Sequence, residues 1–250
     1  MTRPSPTVVL FDVDGTLITT GGTGRKALER AFERVHGRAD ACDHFSFAGM
    51  TDRAIFRGGL KAIGAEGTEG EIDLLLTSYL AHLEEEVARA PVYRVHDGIV
   101  AALDALRELD HVALGLGTGN VETGARTKLE RVALNHYFDF GGYGCDAEPR
   151  AGLIAAGARR GAERLGVPLA ACRLVIVGDT PKDVTAAHAN GGACLAVATG
   201  GASFEALVEA GAEIVCDDLT DPKAQAWLLG TAGDGMGEAP RALGGSRGDS

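Results

Sequence analysis

Two acidic residues one position apart, Asp12 and Asp14, stand in the string FDVDGTL at the end of the apolar run TVVLF. Carboxylates this close repel, and each raises the other's pKa unless a cation lies between them. A hard divalent ion such as Mg²⁺ answers that repulsion, since it binds oxygen at about 2.0–2.1 Å and usually shares one or two carboxylates with water and phosphate. Gly15 permits a turn of unusual φ, and Thr16 adds a hydroxyl and a backbone N–H at the bend. An Asx-turn closing a buried strand accounts for DVDG equally well, but much less well for the whole string.

A second acidic pair, Asp179 and Asp183, lies in GDTPKD after the apolar run LVIVG. Pro181 suits the first position of a helix, with Thr180 or Asp179 as its cap and Asp183 in its first turn. Helix capping explains either acid singly, but less well their pairing at a strand end like that of Asp12. Thr118 follows a third such run, VALGLG, in the string GTGN. Its hydroxyl and the N–H groups of Gly119 and Asn120 form an anion site at a helix start. For that string alone, a plain Thr cap is the favoured reading.

The elements that must position these groups follow from the three apolar runs. Each is short and nearly continuous, as a parallel strand buried on both faces reads, and each leads through Gly or Pro into a helical pattern. In an open α/β sheet, ligands bind beyond the carboxyl ends of the strands. CLAVA (194–198) and EIVC (213–216) extend the β–α alternation, with helices expected over 99–109, 122–134, 153–165, 204–210 and 221–229. The fold class is α/β, a doubly wound parallel sheet.

Roughly 100 residues separate the first strand from the second, where a βαβ unit needs ~30. The excess reads as helices over 25–35, 52–63 and 71–88. Residues 20–91 are thus expected to form an inserted helical cap over the crevice, with 1–19 and 92–230 as the core. The Gly-rich stretch 231–250 has only isolated apolar residues and is expected to be disordered.

Composition limits the remaining possibilities. The chain of 250 residues carries a net charge of −11, which argues against nucleic acid as a partner. Five scattered cysteines include no C-x-x-C, so neither a disulfide framework nor a zinc site is indicated and a reducing cytoplasm is expected. No signal peptide or membrane-length apolar run is read, so no membrane partner is expected; oligomeric state is not legible. GLGTGN (115–120) lacks the third glycine of the dinucleotide fingerprint, and GGTGRK (21–26) is not a P-loop because Arg25 precedes Lys26.

FDVDGTL, then Thr118 at the second strand end, then GDTPKD, together resemble the haloacid dehalogenase (HAD) superfamily, over residues 7 to about 229. The insertion falls where members with a helical C1-type cap carry theirs. The resemblance implies an HAD-like core and a Mg²⁺-dependent phosphatase with an aspartyl-phosphate intermediate. It makes Asp12 the nucleophile, Asp14 the general acid/base and Thr118 a phosphoryl ligand. Asp12, Asp179 and the backbone carbonyl of Asp14 would hold Mg²⁺, with Asp183 supporting the metal waters or a cation. The family's Lys-Pro signature is absent; Arg150, in AEPRAGL, is the best-placed cation. Lys128 is the alternative, set well inside a helix where it can face solvent, and Lys182 is read as a surface residue of its loop.

The same core serves other chemistries. A dehalogenase needs no second acid, so Asp14 argues against it. A phosphonatase needs a cap lysine, and a phosphomutase differs only in cap chemistry. A non-catalytic binding module has no need of an intact acidic set. Substrate choice should reside in the cap, with Arg25 and the string GMTDR (49–53), Thr51 included, as candidate contacts, although hinge and helix-cap roles weigh more at both. Phosphoglycolate phosphatases share this core and cap class, making a small phosphorylated acid the leading substrate. Asp14 would keep its proton through desolvation under the closed cap.

Overall fold

The structure, a computed structural model, describes residues 4–230. The stretch 231–250, expected to be disordered, lies outside the described residues. The strands are β1 (Thr7–Phe11), β2 (Ile18–Thr19), β3 (Arg94–Val95), β4 (Val112–Gly117), β5 (Gly141–Gly142), β6 (Arg173–Gly178), β7 (Ala193–Val197) and β8 (Ile214–Cys216). Helices α1 (Thr23–His36), α2 (Asp52–Ala62) and α3 (Glu69–Arg89) precede β3. The remaining helices are α4 (Ile99–Arg107), α5 (Glu122–Glu130), α6 (Arg150–Leu165), α7 (Pro181–Ala189), α8 (Phe204–Glu209) and α9 (Pro222–Leu228).

A six-stranded parallel sheet runs in the order β5-β4-β1-β6-β7-β8. Its alternating side chains feed two cores. Val9 and Phe11 pack with α4, α5 and α9 on one face, while Val8 and Leu10 pack with α6, α7 and α8 on the other. Covering both faces is what makes the strands read as continuous apolar runs. Phe11 lies opposite both Leu116 and Val177, so Asp12, Thr118 and Asp179 leave the sheet at one rim.

The insertion folds around its own apolar cluster, in which Phe32 and Phe56 are fully buried. Burying each such side chain contributes about 1.5–3 kcal/mol. Thr51 caps α2, and Thr68 with Glu71 forms a capping box on α3. At its base β2 and β3 pair antiparallel, Ile18 against Val95 and Thr19 against Arg94, which clamps the chain's entry to its exit.

The helix expected over 122–134 ends at Glu130. Ala133 takes φ +56° and a 3-10 turn follows at Asn135–Tyr137. The helix expected from 153 instead begins at Arg150, after Pro149, which fits a non-helical residue ahead of the first turn. Neither the β2–β3 pair nor β5 was expected. Two-residue strands, one of them Gly-Gly, carry no alternation of apolar and polar residues to read.

Candidate active site

Asp12 follows β1 with its side chain nearly enclosed, and its N–H still donates to the Val177 carbonyl at 2.9 Å. The first residue of α6, Arg150, reaches it. Arg150 Nη2 lies 2.8 Å from Asp12 Oδ2 and 2.6 Å from Asp183 Oδ1, and Nε donates to the same Asp183 oxygen at 2.8 Å. Asp183 Oδ2 accepts from the Thr180 N–H and hydroxyl at 3.0 and 2.7 Å. The α7 cap therefore orients the carboxylate that holds Arg150.

Asp179, at the end of β6, accepts from Thr16 Oγ1 at 3.1 Å. Gly15 turns the chain at φ +81°, and a Cβ there would lie 2.5 Å from Asp179 Oδ2. Only glycine allows the Asp12 loop to close this tightly on Asp179.

One carboxylate oxygen from each of Asp12, Asp179 and Asp183 lies within 4.8 Å of the others, and all three residues are buried. Burial pushes the Asp12 carboxyl up to about 6, against the pull of Arg150 and the Thr118 hydroxyl. Burial, then repulsion from Asp12 and Asp183, holds Asp179 well above the ordinary carboxyl range. Converging buried oxygens that resist ionisation suit a hard cation, so this donor set fits Mg²⁺.

Asp14 faces the other way. Its Oδ2 accepts from Lys128 Nζ at 2.6 Å and from Asn120 Nδ2 at 2.8 Å. Asn120 also donates to Thr118 Oγ1 at 2.9 Å and accepts from Lys128 at 2.7 Å. The expected desolvated acid is not what the structure shows, because the Asp14 side chain is 41% exposed and ion-paired. Its side chain also stands apart from the three converging acids.

Lys128 does not face solvent. It shares the buried side of α5 with Gly124, Ala125 and Leu129, and its side chain is 4% exposed. The long stem carries the ammonium to the rim. Lys182 is exposed, as expected, but it lies on α7 and donates to the Ala48 carbonyl of the insertion at 2.9 Å.

A cavity of about 260 Å³ separates the rim from the insertion. Asp12, Asp14, Thr118, Gly119, Asn120 and Arg150 line its floor, with Asp179 and Lys128 beside them. Arg25 lines its roof, its guanidinium 4.0 Å from the Phe47 ring centre. Thr16 and Thr51 do not line it. The Thr16 hydroxyl is spent on Asp179, while Thr51 accepts from Ala54 N and donates to the Glu148 carbonyl at 3.1 Å.

One roof residue escaped the sequence reading, and a second, Asp52 of GMTDR, has a role that string did not reveal. Tyr79 lies mid-helix with no local signal. Asp52, which lines the same cavity, accepts from Val121 N at 2.9 Å, so the start of α2 is tied to the start of α5. Burial raises the Asp52 carboxyl to about 6, with Lys128 opposing the shift.

Known proteins resemble this chain over most of its length. A phosphoglycolate phosphatase of Agrobacterium fabrum (strain C58) is 26% identical over 225 residues, covering 87% of this chain and 91% of that one. A hydrolase of Pseudomonas syringae superposes with a TM-score of 0.65 at 21% identity, over 86% of this chain and 95% of that one. CbbY of Rhodobacter sphaeroides, solved with phosphate, gives 0.65 at 16% identity, over 87% and 96%. The sequence pattern of one family spans residues 6–191 and thus takes in both acidic pairs, Thr118 and Arg150. The chain belongs to the haloacid dehalogenase-like hydrolases.

Proposed function

We propose that this hydrolase is a Mg²⁺-dependent phosphatase that acts on a small phosphorylated metabolite through an acyl phosphate formed on Asp12. The observation that carries the reading is the convergence of Asp12, Asp179 and Asp183 beside Arg150, with Asp14 across the same cavity. The phosphoglycolate phosphatase relative makes a small phosphorylated acid the leading substrate.

Asp12, Asp179 and the Asp14 carbonyl would hold Mg²⁺, with Asp183 supporting its waters. When bound, the ion neutralises phosphoryl oxygens and lets Asp12 ionise. Arg150 screens the same oxygens from the attacking carboxylate, while Thr118 and the amides of Gly119 and Asn120 orient them. Asp12 Oδ attacks phosphorus in line as the bond to the leaving oxygen breaks; the proton for that oxygen passes through Asp14, which first leaves its ion pair with Lys128 and takes that proton from water. Asp14 then takes a proton from the water that cleaves the acyl phosphate. Residues 20–91 act as a cap that keeps other water out. The negative net charge fits a free metabolite rather than nucleic acid, and the unpaired cysteines fit work in the cytoplasm.

A chromogenic aryl phosphate tests the reading. Turnover with Mg²⁺ should vanish with EDTA and return when Mg²⁺ is restored. Asp12→Asn should lower it at least about 10³-fold with folding intact. Unimpaired turnover in that variant would refute the nucleophile. Inorganic phosphate, rather than an isomeric phosphate ester, should accumulate.

A further inference from the structure

We infer that the roof of the cavity is a second anion site, which takes the carboxylate of a small phosphorylated carboxylic acid. The inference rests on the phosphatase reading for the other end of that ligand.

Helix α1 begins after Gly22, whose φ is +81°, and no side chain caps it. The first amides of a helix have no partner within it, and they carry the positive end of its dipole. Ser, Thr, Asp or Asn is usual at such a cap; here Gly22 and Gly24 leave the end open, and both line the cavity.

Tyr79 supplies the independent observation. It is 2% exposed, its ring packs against Phe56, and it lines the same cavity. No hydrogen bond reaches its hydroxyl from the described residues. A hydroxyl on the cavity wall that no protein group satisfies is free to donate to a ligand oxygen.

Gly24 faces both donors. A Cβ on it would lie 3.5 Å from Lys128 Nζ and 3.8 Å from the Tyr79 hydroxyl, so any side chain would occupy the space between them. Arg25, the next residue, adds a cation whose salt-bridge partner Glu29 is 3.9 Å away. The nearby acids are already engaged, Asp52 by Val121 N and Asp14 by Lys128 and Asn120. Amides, a hydroxyl, an ammonium and a guanidinium around one space match a carboxylate. The cavity volume of about 260 Å³ also has to hold the phosphoryl group, which limits the ligand to a short carbon chain.

Phosphoglycolate and hydroxyethyl phosphate have the same length, but only the first carries a carboxylate. The expected kcat/KM favours the acid by at least about tenfold. Tyr79→Phe and Gly24→Ala should each shrink that preference, lowering the acid about tenfold and moving the neutral ester by no more than about twofold. A merely structural role would lower both equally. Calorimetry on Asp12→Asn reads the site without turnover, and it too should prefer the acid.

Equal handling of the two esters by the wild type, or a preference unchanged in both variants, overturns the anion site. Aryl phosphate turnover would then still uphold the phosphatase. The reverse outcome, tighter binding of the acid with no ester hydrolysed, upholds the anion site and overturns the phosphatase.

Discussion

The rim of the sheet and the roof above it handle charge in opposite ways. At the rim, Arg150 is locked between Asp12 and Asp183, and Asp183 is itself held by the α7 cap. On the roof, Arg25 leans on Phe47 with Glu29 at the limit of pairing distance, and Tyr79 has no acceptor. Reacting groups must be held in one geometry before substrate arrives. Recognition groups can be left unsatisfied, because the ligand completes them.

Removing Arg150 should break the rim most severely. Arg150→Met leaves the Asp12 and Asp183 carboxylates buried without their cation, a loss of roughly 3–5 kcal/mol in denaturant unfolding. Turnover should fall with it, because the oxygens of the transferring group lose their guanidinium. Arg150→Lys keeps the charge but not the fork of donors, and should recover only part of either loss. A variant as stable as the wild type would show that the rim is not over-determined.

Asp52 offers a smaller effect and a sharper sign. Its folded pKa is raised to about 6, above the ordinary value near 3.9 of an unfolded chain. Between those values the folded state binds more protons, so stability falls as pH rises through that window. The cost is absent below about pH 4 and complete above about pH 6, at up to roughly 3 kcal/mol. Asp52→Asn retains a carbonyl for Val121 N and should gain on the wild type across that window, as urea unfolding at several pH values would record. Superimposable pH profiles would mean that this tie between roof and rim carries no buried charge.

The smallest effect belongs to Arg57 and Glu148, which join α2 to the loop before α6 at 3.0 Å with side chains 40% and 33% exposed. A double-mutant cycle should give a coupling below about 1 kcal/mol, weakening with salt. Larger coupling would place the main attachment of the insertion at its edge rather than at Asp52.

Much of the rim was legible because its signals are local. Three apolar runs ending in Asp12, Thr118 and Asp179 name their own strand ends, and Thr180-Pro181 before Asp183 marks a helix start. Lys128 was misread because the side of α5 it occupies depends on what packs against that helix. Thr16 and Thr51 are hydroxyls near the site by position, yet they serve Asp179 and the α2 cap.

By itself, the order of residues determined which acids reach the rim, since strand ends and helix caps depend on neighbours along the chain. Tertiary structure alone decided where Lys128 points, what Asp52 grips and that Tyr79 has no acceptor. Each of these depends on groups far apart in sequence that meet only when the insertion lies against the sheet.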